Sequence, residues 1–224
     1  MDTIRSWSGL ESFGSRCLAL LAFALVVSSV DVALHGRSAS RWREYALLFL
    51  AAAAGALCGA AVDAVTSAVS PDYFVIAKGI RAGEGFRLRA VALGAQAGTG
   101  YGALLGGVLL FSAGRGFSRD PPAVRRIVRA CLTIPAWGLA AGAAALIAAS
   151  ISPISLPWFR ELVGIPDDAV RRMSAAWLCH LGLYAGALVG LVVAIRGLRR
   201  WRATRFASAS TRMAGEAGIE PATY

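Results

Sequence analysis

Hydrophobic and polar positions fall in long alternating blocks along this chain. Five mostly apolar runs, at about 17–36, 45–67, 90–113, 130–152 and 174–195, are separated by shorter stretches rich in Arg, Pro and Asp. Each run can cross a hydrocarbon layer ~30 Å thick as a helix, and a helix is the form that satisfies its own backbone there. The pattern predicts an all-α fold: an integral membrane bundle of five transmembrane helices, forming a single domain over 1–206. Within it, the region from Tyr45 to Gly197 reads as one two-helix unit written twice, pairing runs two and three with runs four and five. At an offset of 85 residues, Ser70, Phe74, Gly79 and Ile80 fall on Ser155, Phe159, Gly164 and Ile165. At an offset of 84, Gly102-Ala-Leu-Leu-Gly106 falls on Gly186-Ala-Leu-Val-Gly190. Parallel repeats of this kind build many membrane proteins.

The turns between runs carry their own signals. Ser70, Pro71 and Asp72 form a helix start, with Ser as N-cap, Pro as first helical residue and Asp in the first turn. The predicted element is a short interfacial helix ending near Gly79, with Tyr73, Phe74 and Ile76 against the membrane surface. Trp158 and Phe159 suggest a second such helix before the fifth run, and Pro166-Asp167-Asp168 starts a helix that continues into it. Glycines four apart recur at 55 and 59, at 98, 102 and 106, at 138 and 142, and at 182, 186 and 190. Such spacing lets helix backbones approach closely. The first run lacks glycine between Cys17 and His35 and is expected at the periphery. Pro135 should bend the fourth helix without breaking it.

Composition agrees with a bilayer setting. The chain is 57% hydrophobic and only 16% charged, too little charge for a soluble domain of 224 residues. The net charge of +10 would raise nucleic acid as a partner for a soluble protein, but here the arginines follow the runs. Stretches 37–44, 115–129 and 196–205 hold 13 Arg, whereas the opposite side holds 9 Lys and Arg. The bias implies an N-terminus outside and a cytoplasmic C-terminus, with the lipid bilayer as partner and no nucleic acid. The N-terminal run is too long for a cleaved signal and lacks a prompt small-x-small site. Cys17, Cys58, Cys131 and Cys179 lie in or beside apolar runs and form no Cys-x-x-Cys pair, so they imply neither disulfides nor a metal knuckle. Residues 207–224 lack apolar periodicity and are expected to be disordered. Their Gly-Ile-Glu-Pro ending resembles the run-on tails of bacterial reading frames that overlap a tRNA gene.

Depth brings distant residues together. Asp63 and Thr66 lie near the outer end of the second run, Gln96, Thr99 and Tyr101 near the start of the third, and His180 and Tyr184 at a similar depth in the fifth. These seven form a candidate intramembrane polar cluster. A buried carboxylate must be paired, hydrated or neutral, and His180 is the natural partner for Asp63. The pair reads either as a proton or cation relay or as a hydrogen bond that fixes helix register. Asp31 and His35, four apart on one helix face, read as an end-of-span cap in preference to a cation site. No Gly-x-Ser-x-Gly, His-Glu-x-x-His or Gly-Lys-Ser/Thr motif is present, and one Asp with one His is too few for a metal. No catalytic residue, cofactor or metal is assigned.

The stretch Asp63-Ala-Val-Thr-Ser-Ala-Val-Ser-Pro-Asp-Tyr-Phe74 resembles a family of uncharacterised bacterial multi-pass membrane proteins. Their hallmark is a span ending His-Asp-Gln-(Ile/Val)-Thr followed by Ser-Pro-Glu-Tyr-Phe. Asp63, Val65, Thr66, Ser70, Pro71, Tyr73 and Phe74 match it, Asp72 is a conservative change, and Val62 and Ala64 depart from it. A later His, Tyr and Gly of that family would be His180, Tyr184 and Gly186 here. The resemblance implies a bacterial inner-membrane protein and no named activity. The expected role is a non-enzymatic scaffold or subunit, working as a homo-oligomer or with a membrane partner protein. The alternative is a proton- or cation-linked small-solute transporter or channel built on Asp63 and His180.

Overall fold

The computed structural model describes residues 3–114, 116–152, 154–161 and 165–216, and among these there is helix and turn but no strand. The helices are α1 (Thr3–His35), α2 (Arg41–Val69), α3 (Phe86–Ala113), α4 (Pro121–Ile151), the single turn α5 (Pro157–Arg160) and α6 (Asp167–Glu216). Each of the five apolar runs falls, to within one residue, on one of the long helices. Four helices, α1, α2, α4 and α6, are long and apolar enough to cross a membrane. The third has the length, but its six glycines together with Gln96, Thr99 and Tyr101 lower its apolarity. The end of α6 continues as helix through Glu216, taking in residues expected to lack regular structure. Ala, Arg and Met are good helix formers there. Residues 217–224, the rest of the expected tail, lie outside the described residues.

Two antiparallel hairpins make the body. In the first, α2 and α3 touch backbone to backbone: a Cβ on Gly59 would collide with the Gly94 carbonyl, and one on Gly98 with the Gly55 carbonyl. In the second, a Cβ on Gly142 would come within 3.0 Å of the Cys179 carbonyl, and one on Gly182 within 2.7 Å of the Ala141 carbonyl. Glycine is required at these positions by distance, since their φ values are ordinary. The hairpins pack against each other much less closely than their own helices do. The first helix, α1, stands apart, with Ala24 its buried apolar residue among those described and Leu18, Phe23, Val26 and Leu34 well exposed.

Polar contacts fasten the two ends. Asp31 Oδ2 accepts the backbone N–H groups of Ser40 and Arg41 at 2.8 and 2.9 Å, capping α2, while Oδ1 lies 3.0 Å from His35 Nδ1. This carboxylate is therefore occupied as a cap. At the same end Arg202 donates to the Ala113 carbonyl at 2.7 Å, satisfying the last turn of α3. Arg43 donates to the Ser118 carbonyl at 2.9 Å, and Ser118 donates to Glu44 at 3.2 Å.

Aromatics pack into the other end. The Ser70 hydroxyl accepts the Tyr73 N–H at 3.3 Å, as an N-cap should, and Tyr73–Ala77 form a π-helical turn ending before Gly79 at φ +67°. Tyr73 and Phe74 were expected against the membrane surface, yet both are buried, with Phe159, Val170 and Met173, while Ile76 and Trp158 remain exposed. Burying each ring inside the protein contributes roughly 1.5–3 kcal/mol, which favours turning the aromatics inward.

Gly59→Ala and Gly98→Ala should each destabilise the protein by about 1–3 kcal/mol, because the added methyl meets backbone that cannot yield. Gly100→Ala, where an added methyl meets nothing, should stay within about 0.5 kcal/mol. Unfolding in detergent checks both, and equal effects at all three sites would contradict the packing.

Candidate functional site

Asp63 lies six residues before the end of α2, about 9 Å along the helix axis. Its side chain faces Gly94 of α3, where a Cβ would lie 2.7 Å from the Asp63 Cβ and Cγ. The carboxylate thus occupies space that a glycine leaves open. His180 of α6 meets it from the second hairpin, with Nε2 2.7 Å from Asp63 Oδ1, and both side chains are buried. His180 Nδ1 lies 2.7 Å from the Ala176 carbonyl oxygen.

These two contacts constrain where hydrogens can lie. A carbonyl only accepts, so Nδ1 carries a hydrogen. A second hydrogen must lie between Nε2 and Oδ1, because two bare lone pairs would repel at 2.7 Å. The contact accommodates carboxylate with imidazolium or carboxylic acid with neutral imidazole, and the net charge is zero in both of these arrangements. Zero net charge makes burial tolerable. Loss of the shared proton would leave one negative charge in the bundle.

Aromatic rings enclose His180 from the turn end. The Tyr73 ring centroid lies 5.4 Å and that of Phe74 6.3 Å from the imidazole. Burial, and next the nearby Asp63 charge, raise the Tyr73 phenol above its ordinary value, so it stays a neutral hydroxyl. That hydroxyl is buried and has no hydrogen-bond partner among the described residues. The Lys78 Nζ lies 5.6 Å from the centroid of the same ring.

Between the two hairpins runs a cavity of about 310 Å³. Asp63, His180, Tyr101, Tyr184 and Lys78 supply its polar lining; the rest is glycine, alanine, leucine, Cys58, Cys131, Ile134 and Pro135. Along α3 it extends from Leu93 to Leu109, about 24 Å at the helical rise. Ala77 and Lys78, both exposed, rim one end. Leu109, fully buried, is shared with the lining of a second cavity of about 190 Å³ at the arginine-rich end. Pro135 has no N–H for the Cys131 carbonyl, so this part of α4 lacks one helical bond.

The expected cluster separates into parts. Asp63, His180, Tyr101 and Tyr184 line the cavity, and Tyr101 donates its hydroxyl to the Tyr184 carbonyl at 3.0 Å. Thr66 and Thr99 turn their hydroxyls onto their own helices, at the Val62 and Ala95 carbonyls, each at 2.8 Å. Gln96 does not line the cavity. Of the turn residues, Tyr73 and Phe74 cover the imidazole, Ser70 caps the turn, Pro71 is exposed, and Asp72 lies 3.7 Å from Arg172. Sequence reasoning missed Gly94 and Lys78. Gly94 precedes Gly98 by one four-residue step, a usable signal, whereas Lys78 in sequence is one of the nine Lys and Arg of its side with nothing to tie it to a cavity. No group of three or more metal-ligating side chains occurs among the described residues. No protein family's profile matches the chain, and neither does any curated protein or solved structure.

Asp63→Leu and His180→Leu should each cost about 1–3 kcal/mol, because each leaves its partner buried and unpaired. The double variant should cost less than the sum, and strict additivity in a double-mutant cycle would contradict a shared proton. Tyr73→Phe should leave stability within about 0.5 kcal/mol or raise it, since the lost hydroxyl is unpartnered. A marked loss in thermal unfolding would reveal a partner for that hydroxyl.

Proposed function

We propose that this chain is a multi-pass membrane protein that moves protons or small cations through the cleft between its two hairpins. One observation carries the reading: a buried Asp63–His180 pair in hydrogen-bond contact at 2.7 Å on the wall of an elongated cavity, placed to hold a proton between them. Releasing that proton creates a negative site, which a small cation can neutralise. Ionisable residues within membrane bundles commonly mark such pathways. Lys78 at the exposed rim would tune entry, and Leu109 would form the apolar partition toward the other end.

The full assignment is a five-span bundle in which α3 crosses with the other four helices. Its close pairing with α2 supports this, since a helix locked along a span shares that span's depth. The similar glycine docking of α2 with α3 and of α4 with α6 supports a duplicated two-helix unit. The arginine distribution supports an outside N-terminus, and the Asp63–Phe74 motif supports a bacterial inner membrane. A second reading, a non-enzymatic scaffold or partner subunit, draws on α1, whose apolar side chains remain open for a neighbouring chain.

Proton and monovalent-cation flux in proteoliposomes tests the first reading. The native chain should conduct, and Asp63→Asn and His180→Ala should each lower the flux by about tenfold or more, in the range for loss of a positioned proton-transfer group. Circular dichroism should show the helices retained. Absence of flux in the native chain, with both variants less stable, would make the pair structural and favour the scaffold.

A further inference from the structure

The second cavity opens between α4 and α6 at the arginine-rich end. Arg126, Arg129 and Thr133 line it from α4, and Gly197 and Leu198 from α6. We propose that it binds the phosphate-bearing headgroup of an anionic phospholipid, a site separate from the Asp63–His180 pair but resting on the same membrane reading.

The α4 residues are three and four apart, so they share one helix face. Arg126 lies over the Trp201 ring, 5.0 Å from its centroid, which positions the guanidinium without using its N–H donors. Arg129 has no ion pair or hydrogen bond among the described residues. Neighbouring carboxylates are engaged elsewhere, Asp120 by Arg205 and Glu44 by Arg41 and Ser118. Two arginines thus line one concavity with no carboxylate paired to either among the described residues, and a phosphate matches guanidinium donor geometry. Thr133 lies one turn deeper, its hydroxyl donating to the Ala130 carbonyl at 3.4 Å.

Position selects a lipid over a soluble anion. The cavity lies where the apolar block of α4 begins and that of α6 ends, at headgroup depth. Leu132 and Val193, exposed beside it, extend the surface toward the middle of the span, where acyl chains would lie. Gly197 keeps the entrance open, for a Cβ there would meet nothing within 4 Å. That openness supplies a variant that fills the site without disturbing the fold.

The full-length protein in a neutral detergent is titrated with phosphatidylglycerol, phosphatidylcholine or inorganic phosphate, with thermal midpoint and retained lipid in native mass spectrometry as readouts. Phosphatidylglycerol should raise the midpoint and remain bound, whereas phosphatidylcholine and inorganic phosphate should not. Arg126→Gln with Arg129→Gln should weaken phosphatidylglycerol binding roughly thirtyfold, from about fivefold per arginine near a headgroup. Gly197→Leu, which retains both charges, should also weaken it. Arg125→Gln with Arg199→Gln, exposed arginines outside the cavity, should leave it nearly unchanged. An equal loss in that control pair would mean diffuse surface attraction, an equal response to inorganic phosphate would mean a soluble anion, and no response in the native chain would mean no site. Each would overturn the proposal without touching the flux reading. A chain that cannot be extracted with detergent or returned to a bilayer would overturn both.

Discussion

Everything in this bundle depends on how closely two helix backbones can approach. Where glycines of α2 meet glycines of α3, carbonyls lie against α-carbons with no room for a methyl group. The same holds between α4 and α6. In hydrocarbon there is little hydrophobic gain from bringing helices together, so dispersion and close packing must do it. Each hairpin is therefore a closely packed plate. The joint between the plates contains larger and fewer contacts, and the cavity lies in that joint.

The polar pair follows from the same constraint. Asp63 can sit inside the plate because Gly94 has no side chain, and it is tolerated there because His180 reaches it from the other plate. A buried carboxylate would otherwise cost several kcal/mol. The Ala176 carbonyl orients the imidazole and dictates which nitrogen is protonated. Helix register, glycine placement and proton inventory are thus one connected arrangement. This is why the same contact can be described as a structural clasp between hairpins and as a proton site in a cavity.

The two ends of the bundle solve different problems. At the arginine end, guanidiniums satisfy the carbonyls that end α3 and the turn before α4, and they outnumber the carboxylates beside them. At the turn end, the aromatic pair Tyr73 and Phe74 excludes solvent from the imidazole. Guanidinium–carbonyl contacts at one end and an aromatic cover over the imidazole at the other give the cleft a polarity that is independent of which end faces the cytoplasm.

Much of this was legible from residue order. Apolar blocks set where helices lie, because a run of that length with so little charge has no other way to satisfy its backbone. Glycine spacing marked the docking faces, and depth arithmetic put Asp63 and His180 at one level, since both depend only on helical rise. What local sequence cannot encode is which faces meet. The inward fold of Tyr73 and Phe74, the recruitment of Lys78 to the cavity rim, the retreat of Thr66 and Thr99 onto their own backbones and the meeting of Asp63 with His180 were all decided by tertiary packing. Each depends on the position of atoms more than a hundred residues away or on a competition between backbone and side-chain partners that only the assembled bundle resolves.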